Sequence, residues 1–146
     1  EIALMSESES KIVYYNKVNI LKDVALFQTS DLRRATQVLV WRSADYEYSS
    51  VLSDLPKSVF FDYLLKCYYV VVSDSQQTVD GSRFWGYCLT RALATNLYVY
   101  HYNFMHGILS PISTKAQLDT YKSTMWGALP HHEEQLAVIS AIQLPA

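Results

Sequence analysis

The stretch Tyr68–Val72 (YYVVV) is the longest strongly apolar run in the sequence. β-Branched and aromatic residues favour strands, and a strand without polar alternation is typical of a sheet that is covered on both faces. The polar residues 73–80 follow, and then a helical pattern in which Phe84, Cys88 and Ala92 share one stripe. This order of strand, polar loop and helix predicts a βα unit of a parallel sheet.

Alternating patterns on both sides of this unit extend the prediction to the whole chain. The predicted strands are Ile12–Tyr15, Thr36–Arg42, Leu97–Tyr102 and Ile108–Ile112, and the predicted helices are Asn19–Phe27 and those beginning at Pro56, Asp80, Thr114 and Pro130. We therefore expect a single α/β domain over residues 1–146, a three-layer sandwich with a largely parallel central sheet. An α+β domain with a mixed sheet is the alternative, because the first strands and Ile108–Ile112 fit strict alternation poorly.

Length and composition exclude several classes of protein. The chain has 146 residues, which suits one domain, and we expect residues 1–10 to be a mobile end. No apolar run approaches the roughly 18–20 residues of a membrane span. Twelve basic against fourteen acidic residues leave no electrostatic footprint for nucleic acid. With no visible secretory signal, and with Cys67 and Cys88 predicted to be buried free thiols, we expect a cytoplasmic protein.

The polar loop 73–83 is the first candidate site, because ligands of parallel sheets bind beyond the carboxyl ends of strands. Its helix start would favour an anion. Asp74 and Asp80 are the candidate catalytic acid and base. The candidate ligand-binding residues are Gln76, Gln77, Thr78, Gly81, Ser82 and Arg83. This site predicts a protein that binds a nucleotide or a related metabolite, with or without catalysis, although an ordinary loop with Asp80 as a helix cap fits the same residues.

A family resemblance covers residues 68–102. Asp80-Gly81-Ser82, the helix ending Arg91-Ala92-Leu93-Ala94 and the strand Leu97-Tyr98-Val99-Tyr100 resemble the middle of the nucleoside 2-deoxyribosyltransferase family. The resemblance implies a Rossmann-like nucleotide-binding shape. The family's nucleophilic Glu is not matched, because Trp85 occupies its position and no acidic residue lies between Arg83 and Leu118. The resemblance therefore does not extend to glycosyl transfer through a covalent carboxylate.

Tyr46 and Tyr48 form the second candidate site. Both lie in a polar segment beside the acidic Asp45, Glu47 and Asp54. Tyr is a frequent energetic residue of protein interfaces, and acidic neighbours suit a basic partner. The alternative function is thus a non-catalytic interaction module, such as an inhibitor, an immunity-type protein or a phage or secretion accessory protein. Assembly with further copies of the chain also stays open.

Two further site types find little support in the sequence. An acyltransferase that uses acyl-coenzyme A would need a glycine-rich turn before a helix, and Gly81 is the only glycine near a helix start. The segment His131-His132-Glu133-Glu134 can direct at most two ligands to one point, so we predict no metal site. His101 lies between Tyr100 and Tyr102, and we expect it to be a packing or surface residue. The sequence identifies no cofactor.

Overall fold

Seven strands form one mixed sheet in a computed structural model that describes residues 1–22, 34–75, 78–126 and 134–145. The strands are β1 (Ile2–Ser6), β2 (Lys11–Ile20), β3 (Ala35–Arg42), β4 (Val70–Ser73), β5 (Tyr98–Asn103), β6 (Ile108–Ile112) and β7 (Gln135–Ser140). Their order across the sheet is β1-β2-β3-β4-β7-β5-β6. The helices are α1 (Ser49–Ser58), α2 (Leu65–Cys67), α3 (Val79–Ala94) and α4 (Lys115–Trp126), with a 3-10 helix at Tyr46–Tyr48 and a π-helical segment at Val59–Leu64.

The prediction of a largely parallel sheet is wrong, and the alternative of an α+β domain with a mixed sheet fits. Only β3 and β4 run parallel, from Ala35 opposite Val70 to Val38 opposite Ser73. All other neighbouring strands are antiparallel. The strand β7 separates β4 from β5 and runs antiparallel to both. An apolar run indicates that both faces of a strand are covered, but it does not indicate whether the neighbouring strands are parallel or antiparallel.

The strand β7 replaces most of the predicted last helix. Residues 130–133 of that prediction lie outside the described residues, and Gln135–Ser140 is a strand. Leu136 and Val138 pack on one face of the sheet, whereas Ala137 and Ile139 pack on the other. Both faces of a central strand are buried, so consecutive residues along it are all apolar. In such a run some apolar residues also fall at helical spacing, and that spacing does not indicate a helix.

In the described part of the chain, the helices lie on one face of the sheet, so the predicted three-layer sandwich is also wrong. The connections from β3 to β4 and from β4 to β5 proceed in the same direction across the sheet, and right-handed crossovers of this kind place their helices on the same face. The opposite face buries Tyr69, Tyr100 and Tyr102. There the backbone N–H of Leu144 donates to the Tyr100 hydroxyl at 2.9 Å, which fixes the C-terminal residues against the sheet.

The N-terminal predictions also need correction. The predicted mobile end contains β1, which forms a hairpin with β2 at the sheet edge. Asn19, predicted to cap a helix, lies in β2 opposite Gln37 of β3. The remainder of that predicted helix, residues 23–27, lies outside the described residues. The predicted strand Ile12–Tyr15 is confirmed as part of β2.

Helix α1 begins seven residues before its predicted start at Pro56. Proline has no N–H group to donate to the carbonyl four residues earlier, which belongs to Leu52. Arg42 Nη1 donates to that carbonyl at 3.0 Å instead. The arginine therefore satisfies the group that Pro56 leaves free, and the helix continues through the proline.

Candidate functional site

Both predicted sites lie at the same end of the sheet, where β3, β4 and β5 finish. The strands β3 and β4 are parallel, and β5 runs in their direction because β7 is antiparallel to both β4 and β5. The loop before α1, the start of α3 and the turn between β5 and β6 consequently come to this edge. We call this edge, with the β1–β2 turn beside it, the sheet end.

The first part of the polar loop 73–83 is structural. Ser73 is buried as the last residue of β4, and its hydroxyl accepts a hydrogen bond from the backbone N–H of Ala137 at 2.9 Å. Asp74 is half-buried, and its Oδ1 accepts from the N–H of Ser75 at 2.8 Å. Gln76 and Gln77 lie outside the described residues. The described contacts therefore close the sheet and turn the chain.

The start of α3 is capped by Thr78, not by Asp80. Thr78 Oγ1 accepts from the N–H of Gly81 at 3.1 Å, and the Thr78 carbonyl accepts from the N–H of Ser82 at 2.9 Å. Asp80 is exposed, with Oδ1 3.6 Å from Arg83 Nη1. Two of the amides that a phosphate could use are thus bonded within the turn. Asp74 accepts from the N–H of Ser75, whereas Asp80 lies beside Arg83, so these contacts do not bring the two predicted catalytic carboxylates together.

Trp85 is a core residue at the position that the family resemblance would give to a nucleophile. Its side chain is 2% exposed. The indole packs edge-on against Phe60, with ring centres 5.3 Å apart. A catalytic carboxylate at this position would be buried among aromatic rings, and a Rossmann-like parallel sheet is absent from the described strands.

The loop before α1 presents Tyr46 on a fixed base. Tyr46 is 91% exposed. Next to it, the Lys11 ammonium contacts the carboxylates of Glu9 and Asp45, and these two acids raise the pKa of Lys11. Tyr48 is half-buried, with Lys11 Nζ 5.2 Å from its ring centre. Tyr46 is therefore available to a partner, whereas Tyr48 holds the loop against β2.

Large apolar side chains that remain exposed are concentrated at the sheet end. Of thirteen such side chains among the described residues, nine lie there: Met5, Ile12, Trp41, Tyr46, Val51, Val79, Phe104, Met105 and Ile108. The other four are Leu39, Tyr63, Tyr87 and Tyr98. Scattered exposed apolar residues are ordinary, so the notable feature is that most of these side chains lie at one end of the sheet.

Most of this gathering was not predictable from the sequence, since strand order alone brings the residues together. One signal was present in β3. Leu39 and Trp41 are apolar and alternate with the inward-facing Val38 and Val40, so both faces of this strand are apolar although one is exposed.

Charge at the sheet end is predominantly negative. The described acidic residues there are Glu7, Glu9, Asp45, Glu47, Asp74, Asp80 and Glu134, and the basic ones are Lys11, Arg42 and Arg83. Seven acids against three bases give this end a formal charge of −4, which is more negative than the net charge of −2 of the entire chain. The surface consequently attracts positive charge.

His101 is buried near this end, on the helix face of β5. Its ring stacks on Tyr121 with centres 4.6 Å apart, and Nε2 lies 2.6 Å from Gln135 Oε1. Burial lowers the pKa of His101 below its ordinary value, although the hydrogen bond to Gln135 opposes that shift. The predicted packing role is confirmed. Among the described residues no group of three or more His, Cys, Asp or Glu could hold a metal ion, and His131, His132 and Glu133 lie outside them.

Stability should fall in weak acid because of His101. When the folded pKa lies below the unfolded one, the unfolded chain binds the proton first, so the free energy of unfolding falls as pH drops through the unfolded pKa of about 6.5. The fall ends once the pH is below the folded pKa. Urea denaturation from about pH 7.5 to 5 should show a smaller loss in His101→Gln than in the natural chain. The exposed His106→Gln is the control, and an equal slope in all three proteins contradicts the assignment.

Gly86 lies in the middle of α3, at a position where the packing does not require glycine. A Cβ atom there would meet Lys122 Cε at 3.6 Å and Lys122 Nζ at 3.7 Å, which are ordinary contacts. Glycine within a helix is less stable than alanine by about 0.5–1 kcal/mol. We expect Gly86→Ala to raise the free energy of unfolding by about that amount in urea denaturation. A loss of stability would show that the helices need the glycine.

The two cysteines differ in exposure. Cys88 is buried, and burial raises the pKa of its thiol, whereas Cys67 is exposed, contrary to its predicted burial. Cys67 lies on the exposed side of the last helical turn before β4. The other side of this segment carries Leu64 and Leu65, which are buried in the core.

Within the described part of the chain, no helix has the length and apolar character needed to cross a bilayer. Searches against protein-family models, curated protein sequences and solved structures found no match to this chain.

Proposed function

We propose that this chain is a non-catalytic protein-interaction module that binds a basic protein surface through its sheet end. Within the described ranges, nine of the thirteen exposed large apolar side chains lie at that end, and this gathering carries the proposal. Such patches are typical of protein-binding surfaces. The described residues of the loop, 73–75 and 78–83, in contrast form caps and turns, and the helix-start amides at Gly81 and Ser82 are already bonded.

The dimensions of the sheet end suit one partner. Strands lie about 4.8 Å apart, so seven strands span roughly 29 Å. A protein interface of standard size covers about 800 Å² on each partner, which corresponds to a similar width. A single bound protein could therefore contact both the Tyr46 loop and the Phe104 turn.

Tyr46 is the proposed anchor residue. Interface energy is concentrated in a few residues, and tyrosine is enriched among them. The loop that presents Tyr46 is already ordered, since the Ser43 N–H donates to the Val13 carbonyl at 2.7 Å and Lys11 contacts Asp45 at 2.9 Å. An ordered loop loses little conformational entropy on binding, which favours affinity.

The excess of acidic residues defines the partner. A basic surface would approach faster and bind more tightly, and added salt should weaken this attraction. Two copies of this chain would repel each other at their sheet ends. The proposal is therefore a different protein with a basic surface, and pairing of two copies through this end is disfavoured.

Free thiols support a cytoplasmic partner. Cys67 and Cys88 are unpaired, and Cys67 is exposed. Exposed unpaired cysteines are typical of reducing compartments. We therefore expect the partner among cytoplasmic proteins.

Substitution of Tyr46 tests the proposal. We expect Tyr46→Ala to weaken partner binding by about fivefold or more, because loss of an anchor residue costs over about 1 kcal/mol. Affinity capture from native cell extract identifies candidates, and titration calorimetry with the purified partner measures each affinity. Tyr63→Ala is the matched control, since Tyr63 is half-exposed at a distance from the sheet end. If Tyr63→Ala weakens binding as much as Tyr46→Ala, or if neither variant weakens it, the proposal is wrong.

A further inference from the structure

A groove on the outer side of the helix layer lies between α3 and α4. Its volume is about 680 Å³, and Ser82, Arg83, Gly86, Tyr87, Lys122 and Trp126 are among the residues that line it. Pockets for small molecules commonly measure about 300–1,000 Å³. The groove borders the sheet end, since Arg83 at the start of α3 belongs to both, and Ser82 and Arg83 also belong to the predicted ligand-binding loop.

Two cations from different helices line this groove, Arg83 from α3 and Lys122 from α4. Arg83 Nη1 lies 3.6 Å from Asp80 Oδ1, and Lys122 Nζ lies 3.7 Å from Asp119 Oδ1. Both distances exceed hydrogen-bond length, so the donors of both side chains remain available to a ligand. Lys57 adds a third cation close by, since its Nζ lies 4.3 Å from the centre of the Tyr87 ring. The two cations in the lining, with Lys57 beside the Tyr87 ring, favour an anionic ligand.

Gly86 supplies an independent observation. Because a Cβ atom at Gly86 would make only ordinary contacts, neither the fold nor the packing of α4 requires glycine there. The chain nevertheless has glycine at this position, which weakens the helix. A position that gives up stability without a structural reason is characteristic of a functional site. Here the missing side chain leaves the groove open between Arg83 and Lys122.

Aromatic rings complete the groove. Trp126 and Tyr87 line it together with the backbone at Gly86. Planar ligands stack on such rings, and guanidinium groups bind phosphate oxygens in pairs. We infer that the groove binds a small phosphorylated molecule with a planar ring, its phosphate between Arg83 and Lys122 and its ring against Trp126 or Tyr87.

Nuclear magnetic resonance titration of the ¹⁵N-labelled chain tests this inference. The probes are phenyl phosphate and adenosine 5′-monophosphate, with inorganic phosphate and phenol as fragments. We expect saturable shifts at the amides of Gly86, Tyr87 and Lys122 and at the Trp126 indole. Because both halves of the groove contribute, at least one complete probe should bind about tenfold or more tightly than either fragment. The inference is wrong if neither probe causes saturable shifts at these residues, or if the fragments bind equally well.

Three variants and one control sharpen the test. Arg83→Gln and Lys122→Gln should each weaken probe binding by about tenfold. Gly86→Ala should weaken it by about fivefold while raising the melting temperature, because the added methyl group enters the groove. Arg91→Gln is the control, since Arg91 lies on the same helix but stacks on Phe61 at 4.2 Å. Unchanged binding in Gly86→Ala, or equal weakening in Arg91→Gln, would overturn the inference.

Discussion

Trp85→Ala is expected to lower the free energy of unfolding by about 3–5 kcal/mol, the usual loss for a buried tryptophan. Trp85 joins α3 to the π-helical segment through Phe60, whose ring also packs edge-on against Phe84 and Phe61. Both Trp85 and Phe60 are almost fully buried. Removal of the indole leaves a cavity that surrounding helices and sheet can fill only in part.

Guanidinium denaturation followed by circular dichroism measures this loss. The matched control is Trp41→Ala, which removes an indole that is 50% exposed on the sheet. Surface substitutions usually change stability by less than about 0.5 kcal/mol, and a half-exposed tryptophan should cost only slightly more. Equal losses in the two variants would contradict the assigned positions of the two rings.

Ser73→Ala is expected to cost about 1–3 kcal/mol, because it leaves a buried N–H group without an acceptor. Backbone pairing between β4 and β7 ends at Val72 opposite Val138. Beyond that pair, the Ser73 hydroxyl accepts from the N–H of Ala137, and both residues are buried. The side chain thus extends the sheet by one hydrogen bond.

Hydrogen exchange provides a local readout for Ser73→Ala. The amide of Ala137 should exchange faster in the variant than in the natural chain, measured at equal global stability. Ser53→Ala is the control, since its exposed hydroxyl donates to the Ser50 carbonyl within α1. A slow Ala137 amide in Ser73→Ala would contradict the proposed role of the hydroxyl.

Local features of the fold were predictable from the sequence. The left-handed Asn96 after α3 has φ 59°, as expected for asparagine at a helix end, and Met105–Gly107 forms the predicted turn. Thr114 and Gln117 form the predicted capping box, in which each side chain accepts from the other's backbone N–H. Each of these features depends on residues a few positions apart.

Strand direction and strand order were not predictable in the same way. The run Leu136–Ile139 is apolar enough for a buried helix or a buried strand, and its place between β4 and β5 decides between them. That insertion turns an expected parallel sheet into a mixed one. In the candidate site, the polar neighbours of Tyr46 in the sequence predicted its exposure. Its position at the same end of the sheet as Phe104 and Ile108 depends on strand order.

Site-specific photo-crosslinking tests the proposed interaction surface most directly. A photoreactive phenylalanine derivative is placed at Tyr46 and Phe104 of the sheet end and, as controls, at Tyr63 and Tyr98, which are exposed outside the sheet end. We predict that residues 46 and 104 crosslink to the same basic protein in native extract, and that residues 63 and 98 do not. Crosslinks to that partner from residues 63 and 98 alone, or none from 46 and 104, would contradict the account.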